Sequence, residues 1–161
     1  MSDLNIRPST KGDVGLVLGF IHELAEYEKL AHEVEATEEQ LRENLFGQHP
    51  QAEVLVAEWQ EEPVGFALFF HNFSTFRGVR GLYLEDLYVQ VDHRGKGIGK
   101  AMLKELAAIA VERGCARFEW SVLDWNRPAI EFYEAMGARL MTDWRTCRID
   151  DDALRALASR Q

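Results

Sequence analysis

The stretch "VDHRGKGIGKAML", residues 91–103, carries the information from which the rest of this chain can be placed. Gly95, Gly97 and Gly99 alternate with Lys96 and Ile98, so three positions lack a side chain and the backbone can come close to a ligand. Beyond them Ile98, Met102, Leu106 and Ile109 step by four, four and three, while Leu103, Ala107 and Ala110 widen the apolar stripe. That spacing predicts an amphipathic helix ending at Gly114. Upstream, Leu82 to Val91 predicts a strand. A strand leading through a glycine-rich loop into a helix gathers backbone N–H groups and the positive end of the helix dipole at one spot, which suits an anion. Arg94, Lys96 and Lys100 add a basic knot inside a chain of formal net charge -9.

Two other phosphate loops fail on spacing. A dinucleotide fingerprint, G-x-G-x-x-G counted from Gly95, puts its last glycine on Lys100, and the loop does not follow the first strand of a βαβ unit. A G-x-x-x-x-G-K-[ST] loop is one residue too long for Gly95 to Gly99, and Ala101 stands where the metal-binding hydroxyl belongs. An ordinary tight turn is the plain alternative.

Working outward, Leu4 to Arg7 predicts a first strand, and Thr10 and Asp13 a helix start. Val14, Val17, Leu18, Ile21, Leu24 and Ala25 recur at helical spacing up to Tyr27 and Glu28. Thr37 with Gln40 forms a capping-box pattern before a short helix carrying Leu41 and Leu45, which "GQHP" ends. Glu53 to Trp59 and Val64 to Phe70 are two β-rich runs around the turn-like "QEEP", a predicted hairpin. Phe118, Trp120 and Val122 alternate with polar residues as a half-buried strand does. Asn126 suits a helix cap, with Pro128 in the first turn and Gly137 past the end; Trp144 to Ile149 predicts a last strand, followed by a short helix from Asp151. The expected fold is α/β, a mixed sheet flanked by helices, because two helical crossovers make neighbouring strands parallel while the centre is too strand-rich for a doubly wound fold. Without repeats or linkers, residues 1–161 are expected to form one domain.

Composition narrows the function. The acidic balance speaks against a nucleic-acid partner and is compatible with a cationic substrate. No run of about 18 apolar residues and no secretory start occur, so a cytoplasmic protein without a membrane segment is expected. Cys115 and Cys147 form no C-x-x-C pair and read as buried reduced thiols; the five histidines show no ligand spacing, so no metal is expected.

With its flanks, "VDHRGKGIGKAML" resembles the acetyl-CoA pyrophosphate motif, R/Q-x-x-G-x-G/A, of the GNAT superfamily of N-acetyltransferases. "FIHELAEYEKL", "LYLEDLYV", "SVLDWNRPAIEFYEAMGA" and "DWRTCRID" resemble the diamine acetyltransferase family over nearly the whole chain, and "STFRG" and "VLDWN" are similar to its thialysine N-epsilon-acetyltransferase branch. The resemblance implies a V-splayed sheet with acetyl-CoA where two central strands part. Direct attack by the primary amine of a small molecule, thialysine or a short diamine or polyamine, in a ternary complex is the implied reaction, and a homodimer the implied assembly. Peptide or protein N-acetylation, and a non-catalytic acyl-CoA-binding module, stay open as alternatives.

Acetyl transfer to an amine requires loss of a proton from an ammonium of pKa about 10.4, donors for the developing oxyanion and an acid for the departing thiolate. The resemblance places Glu85 in the amine site, binding the cation or taking its proton through water, against a solvated strand carboxylate as the bland reading. Adjacent Asp86 points to the opposite face of a regular strand, so both face one ligand only if a bulge intervenes. Tyr133, sharing an apolar face with Ala129, Ile130 and Met136, is the implied acid or else a core tyrosine. Implied coenzyme contacts are the backbone at Leu87, Tyr88 and Val89, the loop Arg94, Gly95, Lys96, Gly97, Ile98, Gly99 and Lys100, and Asn126, Pro128 and Ala129; for Asn126 a plain helix cap is equally open. Tyr27, Glu28 and Trp144 match residues lining the amine site. The spermidine/spermine branch carries an aspartate and a tryptophan where this chain has Ser74 and Phe76, which favours a shorter amine.

Overall fold

A computed structural model describes residues 2–159. They fall into two compact units, one ending at Ser121 and the other beginning at Val122.

The first unit is built on a sheet whose strands β1 (Leu4–Pro8), β2 (Glu53–Trp59), β3 (Glu62–Ser74), β4 (Val79–Val89) and β5 (Phe118–Trp120) lie side by side in chain order. The first three pairings are antiparallel and the last, β4 with β5, is parallel. Two helices, α1 (Val14–Tyr27) and α2 (Glu38–Phe46), lie between β1 and β2 in the chain, and α3 (Ile98–Glu112) is the crossover that makes β5 parallel to β4. This is the mixed sheet flanked by helices that the patterning predicts.

The apolar stripes bury as their spacing requires. Val17, Phe20 and Leu24 of α1 and Leu45 of α2 cluster with Val54, Val56, Phe66 and Tyr88, and Phe20 stacks on Phe66 with centroids 5.7 Å apart. By strand alternation Leu55, Ala57, Ala67 and Phe69 lie on the other face, where α3 buries Ile98, Met102, Leu103, Leu106 and Ala110. The Thr37–Gln40 capping box forms as expected, the Gln40 N–H donating to Thr37 Oγ1 at 3.1 Å and the Thr37 N–H to Gln40 Oε1 at 3.0 Å. At the start of α1, Asp13 receives the Thr10 N–H at 2.7 Å and an Arg7 ion pair at 2.8 Å; mainly through that arginine its carboxyl is held down at about 2. The β2–β3 hairpin closes through Gln60 and Glu61 at φ 51° and 70°, the left-handed pair that a two-residue turn needs and that glycine or asparagine usually supplies.

In the second unit α4 (Arg127–Ala135) is capped by Asn126, whose side chain accepts from the Ala129 N–H at 3.3 Å, and α5 spans Asp151–Ser159. Here the expectations need correction. Trp144 to Ile149 is not a strand: residues 139–150 hold no regular structure and all are exposed. A β-prone run alone cannot make a strand, since each strand needs a neighbour for its backbone N–H and C=O groups, and none is recorded for this segment among the described residues. The strand expected through Val122 stops at Trp120 for the same reason. Cys147 is exposed and Cys115 half-buried, unpaired rather than buried thiols.

Candidate active site

The parallel pairing of β4 with β5 covers only Leu82 with Phe118, Tyr83 with Glu119 and Leu84 with Trp120. Beyond Leu84 no strand among the described residues pairs with the β5-facing edge of β4, so backbone groups of Glu85 to Val89 on that edge have no ladder partner. Val89 then leads through a 3-10 turn, Val91–His93, into the glycine loop and α3. Leu87, Tyr88 and Val89 therefore stand on the open edge, immediately before the loop.

The loop has the properties its composition suggests. Gly95 and Gly97 adopt φ 82° and 80°, the left-handed region that favours glycine, and a Cβ at either would meet open space. Gly97 is the N-cap of α3 and Gly99 lies in its first turn, so the first N–H groups of the helix face outward with no side-chain cap. Ile98 is buried and anchors the loop; Arg94, Lys96 and Lys100 are exposed. The ammonium of Lys96 sits 4.9 Å from the Trp59 ring and 3.3 Å from His93 Nδ1. Converging N–H groups, three cations and room for close approach fit a pyrophosphate.

A short way back along β4 the strand carries a bulge. Asp86 is registered with Leu68 and Leu84 with Phe69, which leaves Glu85 as the extra residue. In a regular strand Leu84, Asp86 and Tyr88 share one face. With the bulge, Leu84 goes with Phe69 toward α3, whereas Asp86 joins Leu68 and Tyr88 on the α1 side. The condition under which both acids can serve one ligand is thus met. Glu85 is exposed, while Asp86 is largely withdrawn from water. Burial first, then the charges of Glu85 and Glu28, push the Asp86 carboxyl up to about 7. Burial also raises Glu28, at the C-terminal end of α1.

The first unit thus brings Glu28, Glu85 and Asp86 together with the open β4 edge and the loop. Tyr27 is a different matter: its ring lies under the Arg94 guanidinium, 4.6 Å from Cζ, beside the start of the glycine loop. Ser74 is buried, its Oγ accepting from the Arg77 N–H at 3.2 Å in the β3–β4 turn, with Phe76 fully exposed at the tip. That turn lies some eight residues before Asp86, on the order of 25 Å at strand spacing, and within one chain takes no part in the acid cluster. Asn126, Pro128, Ala129, Tyr133 and Trp144 belong to the second unit. Asn126 is buried as the α4 cap, Pro128 and Ala129 lie in that helix's first turn, Tyr133 is half-buried with its ring 5.5 Å from Phe132, and Trp144 is 77% exposed. A cavity of about 570 Å³ lined by Phe46, Glu53, Phe69, His71, Ile109 and Arg113 opens at the far end of α3 and shares no residue with the site. Among the described residues no group of three or more His, Cys, Asp or Glu side chains could hold a metal, and no helix is long and apolar enough to cross a membrane.

Sheet, loop and open edge together define an acetyltransferase, and residues 20–138 match the family model described as "Acetyltransferase (GNAT) family". The chain belongs to that family and is an N-acetyltransferase; the family uses acetyl-CoA as cosubstrate. Thialysine N-epsilon-acetyltransferase of Sus scrofa is 41% identical, covering 99% of this chain and 100% of that protein. L-ornithine N5-acetyltransferase of Arabidopsis thaliana is 33% identical over 94% of this chain and 86% of that one. Among solved structures, an integron cassette protein of V. cholerae superposes with a TM-score of 0.82 at 30% identity, covering 98% and 99% of the two chains.

Proposed function

We propose that this protein transfers acetyl from acetyl-CoA to a primary amine of a small molecule of the thialysine or ornithine kind, or a short diamine, by direct attack in a ternary complex. Acetyl-CoA supplies the activated acyl group; the chain's own residues bind, orient and move protons. The observation that carries the reading is the half-buried Asp86 carboxyl, raised to about 7, beside Glu28 and Glu85 on the edge where β4 leaves β5. Three acids attract an ammonium, and a proton acceptor near neutral pKa is what a general base requires. Asp86 takes the proton, directly or through water; Glu85, exposed at the bulge, and Glu28 bind the cation. Backbone N–H groups of Leu87 to Val89 stabilise the developing oxyanion, and the loop from Arg94 to Lys100 holds the pyrophosphate. Asn126, Pro128 and Ala129 contribute to coenzyme binding, Trp144 to the amine pocket, and Tyr133 is the acid for the thiolate.

The test is release of coenzyme A from acetyl-CoA across a panel of thialysine, ornithine, lysine, putrescine, spermidine and a lysine-bearing peptide. Small amines with a second charged group nearby should exceed the peptide by at least tenfold in kcat/KM; turnover of the peptide alone would overturn the reading. A cytoplasmic homodimer completes the proposal, supported by apolar side chains left in water at Leu140, Met141, Trp144 and Ile149 and on α5 at Leu154 and Leu157. A light-scattering mass near that of two 18.4 kDa chains is expected, and that of one chain at micromolar concentration would count against it.

A further inference from the structure

Arg94 stands at the mouth of the glycine loop on an exposed stretch of backbone, where a long side chain costs considerable rotamer freedom to hold still. Three contacts hold it. Its Nε donates to the Val89 carbonyl at 2.9 Å, and its Cζ lies 4.6 Å from the Tyr27 ring centroid and 5.7 Å from that of Tyr88. Tyr88 is itself fixed: its ring is buried against Phe20 and its hydroxyl donates to Glu23 Oε1 at 3.0 Å, a carboxylate that also receives Gln90 Nε2 at 3.3 Å. The guanidinium therefore rests on two aromatic rings, with one nitrogen on the strand end and its two terminal nitrogens engaged by no side chain or carbonyl among the described residues. A planar cation pre-aligned in this way can receive phosphate oxygens without first losing its freedom.

We infer that Tyr27 is a positioning residue for Arg94, so that the last turn of α1 serves the coenzyme and not only the amine. The inference rests on the phosphate role proposed for the loop. Tyr27 is 40% exposed and lies outside the buried cluster beneath α1, whereas Glu28, the next residue, is felt by Asp86. One turn of helix thus supplies the ledge beneath the phosphate-binding arginine and an acid to the amine cluster.

The experiment measures coenzyme A affinity by calorimetry on the full chain for the wild type, Tyr27→Phe, Tyr27→Ala, Arg94→Ala and the double variant Tyr27→Ala/Arg94→Ala. Tyr27→Ala should weaken binding roughly three- to thirtyfold, the range of a cation–π contact partly shielded from water. Tyr27→Phe keeps the ring and should stay within about twofold. In the Arg94→Ala background the Tyr27→Ala change should add less than about twofold, because the partner through which it acts is gone. A Tyr27→Ala effect of equal size in both backgrounds, or none in either, overturns the inference. General loosening of α1 has its own signature: a lower melting temperature with the amine KM rising as much as the coenzyme Kd, and that result also counts against the positioning role. If the wild type itself fails to bind coenzyme A, the phosphate role of the loop falls and this inference with it; wild-type binding without Tyr27–Arg94 coupling removes the inference alone.

Discussion

Asp86→Asn is expected to lower kcat/KM for the amine about a hundredfold or more and, at the same time, to make the protein more stable above pH 7. Both effects come from one cause. The carboxyl sits half-buried on the α1 side of the sheet because of the bulge at Glu85, near two other acids, and is pushed up from 3.8 to about 7. Between those values the folded protein holds a proton that the unfolded chain has already released, so stability falls as pH rises through this window. Above pH 7 the full cost applies. A rise of about three pKa units corresponds to at most about 4 kcal/mol, and to about 2 kcal/mol once water reaches a half-buried carboxylate. Asparagine has no charge to bury, so at pH 8 the variant should melt about 4–8 °C higher. Near pH 5, where only about a third of the cost has accrued, the gain should be correspondingly small. An equal gain at both pH values would mean that asparagine simply packs better. The activity profile provides the second check: the wild-type limb near pH 7 should disappear in the variant, leaving only the rise due to the amine's own deprotonation. A more stable, less active variant is the signature of a site held against its own folding energy.

That aspartate also marks where the sequence stops being legible. The glycine loop, the stripes of α1 and α3 and the Thr37–Gln40 box are local: each is decided by residues within four or five positions of one another, and each forms as its pattern predicts. The bulge is not local. It exists because Leu68 pairs with Asp86 while the next residue, Phe69, pairs with Leu84, a matter of β3–β4 register that "LYLEDLYV" does not contain. The resemblance therefore places Glu85 in the amine site and leaves Asp86 open, whereas the structure half-buries Asp86 and exposes Glu85. Tyr27 was legible as a helix terminus but not as an aromatic ledge, because Arg94 reaches it across 67 positions of chain. Residues 144–149 fail in the other direction. Their β-prone residues, Trp144, Thr146 and Ile149, suit a strand, but pairing depends on a partner that local sequence cannot supply.

Tyr133→Phe is expected to reduce turnover about a hundredfold while coenzyme A binds as before. A phenol of pKa about 10 giving its proton to a thiolate whose conjugate acid lies near 8.5 works uphill by about 2 kcal/mol. That cost is modest beside the 10²- to 10⁴-fold, roughly, that a placed acid contributes by sparing a bare leaving thiolate. Tyr133 lies on the half-buried face of α4 with its ring against Phe132, and phenylalanine preserves that packing. The loss should therefore appear in kcat, with the melting temperature and the coenzyme Kd little changed. A donor with a more acidic thiol needs less help in leaving, so an acetyl thioester of such a thiol should narrow the gap between variant and wild type. If the variant turns over acetyl-CoA like the wild type, Tyr133 is a packing residue and the thiolate leaves with water's proton. If turnover falls but the acidic donor narrows nothing, the hydroxyl acts elsewhere in the reaction, and protonation of the leaving group is the wrong role for it.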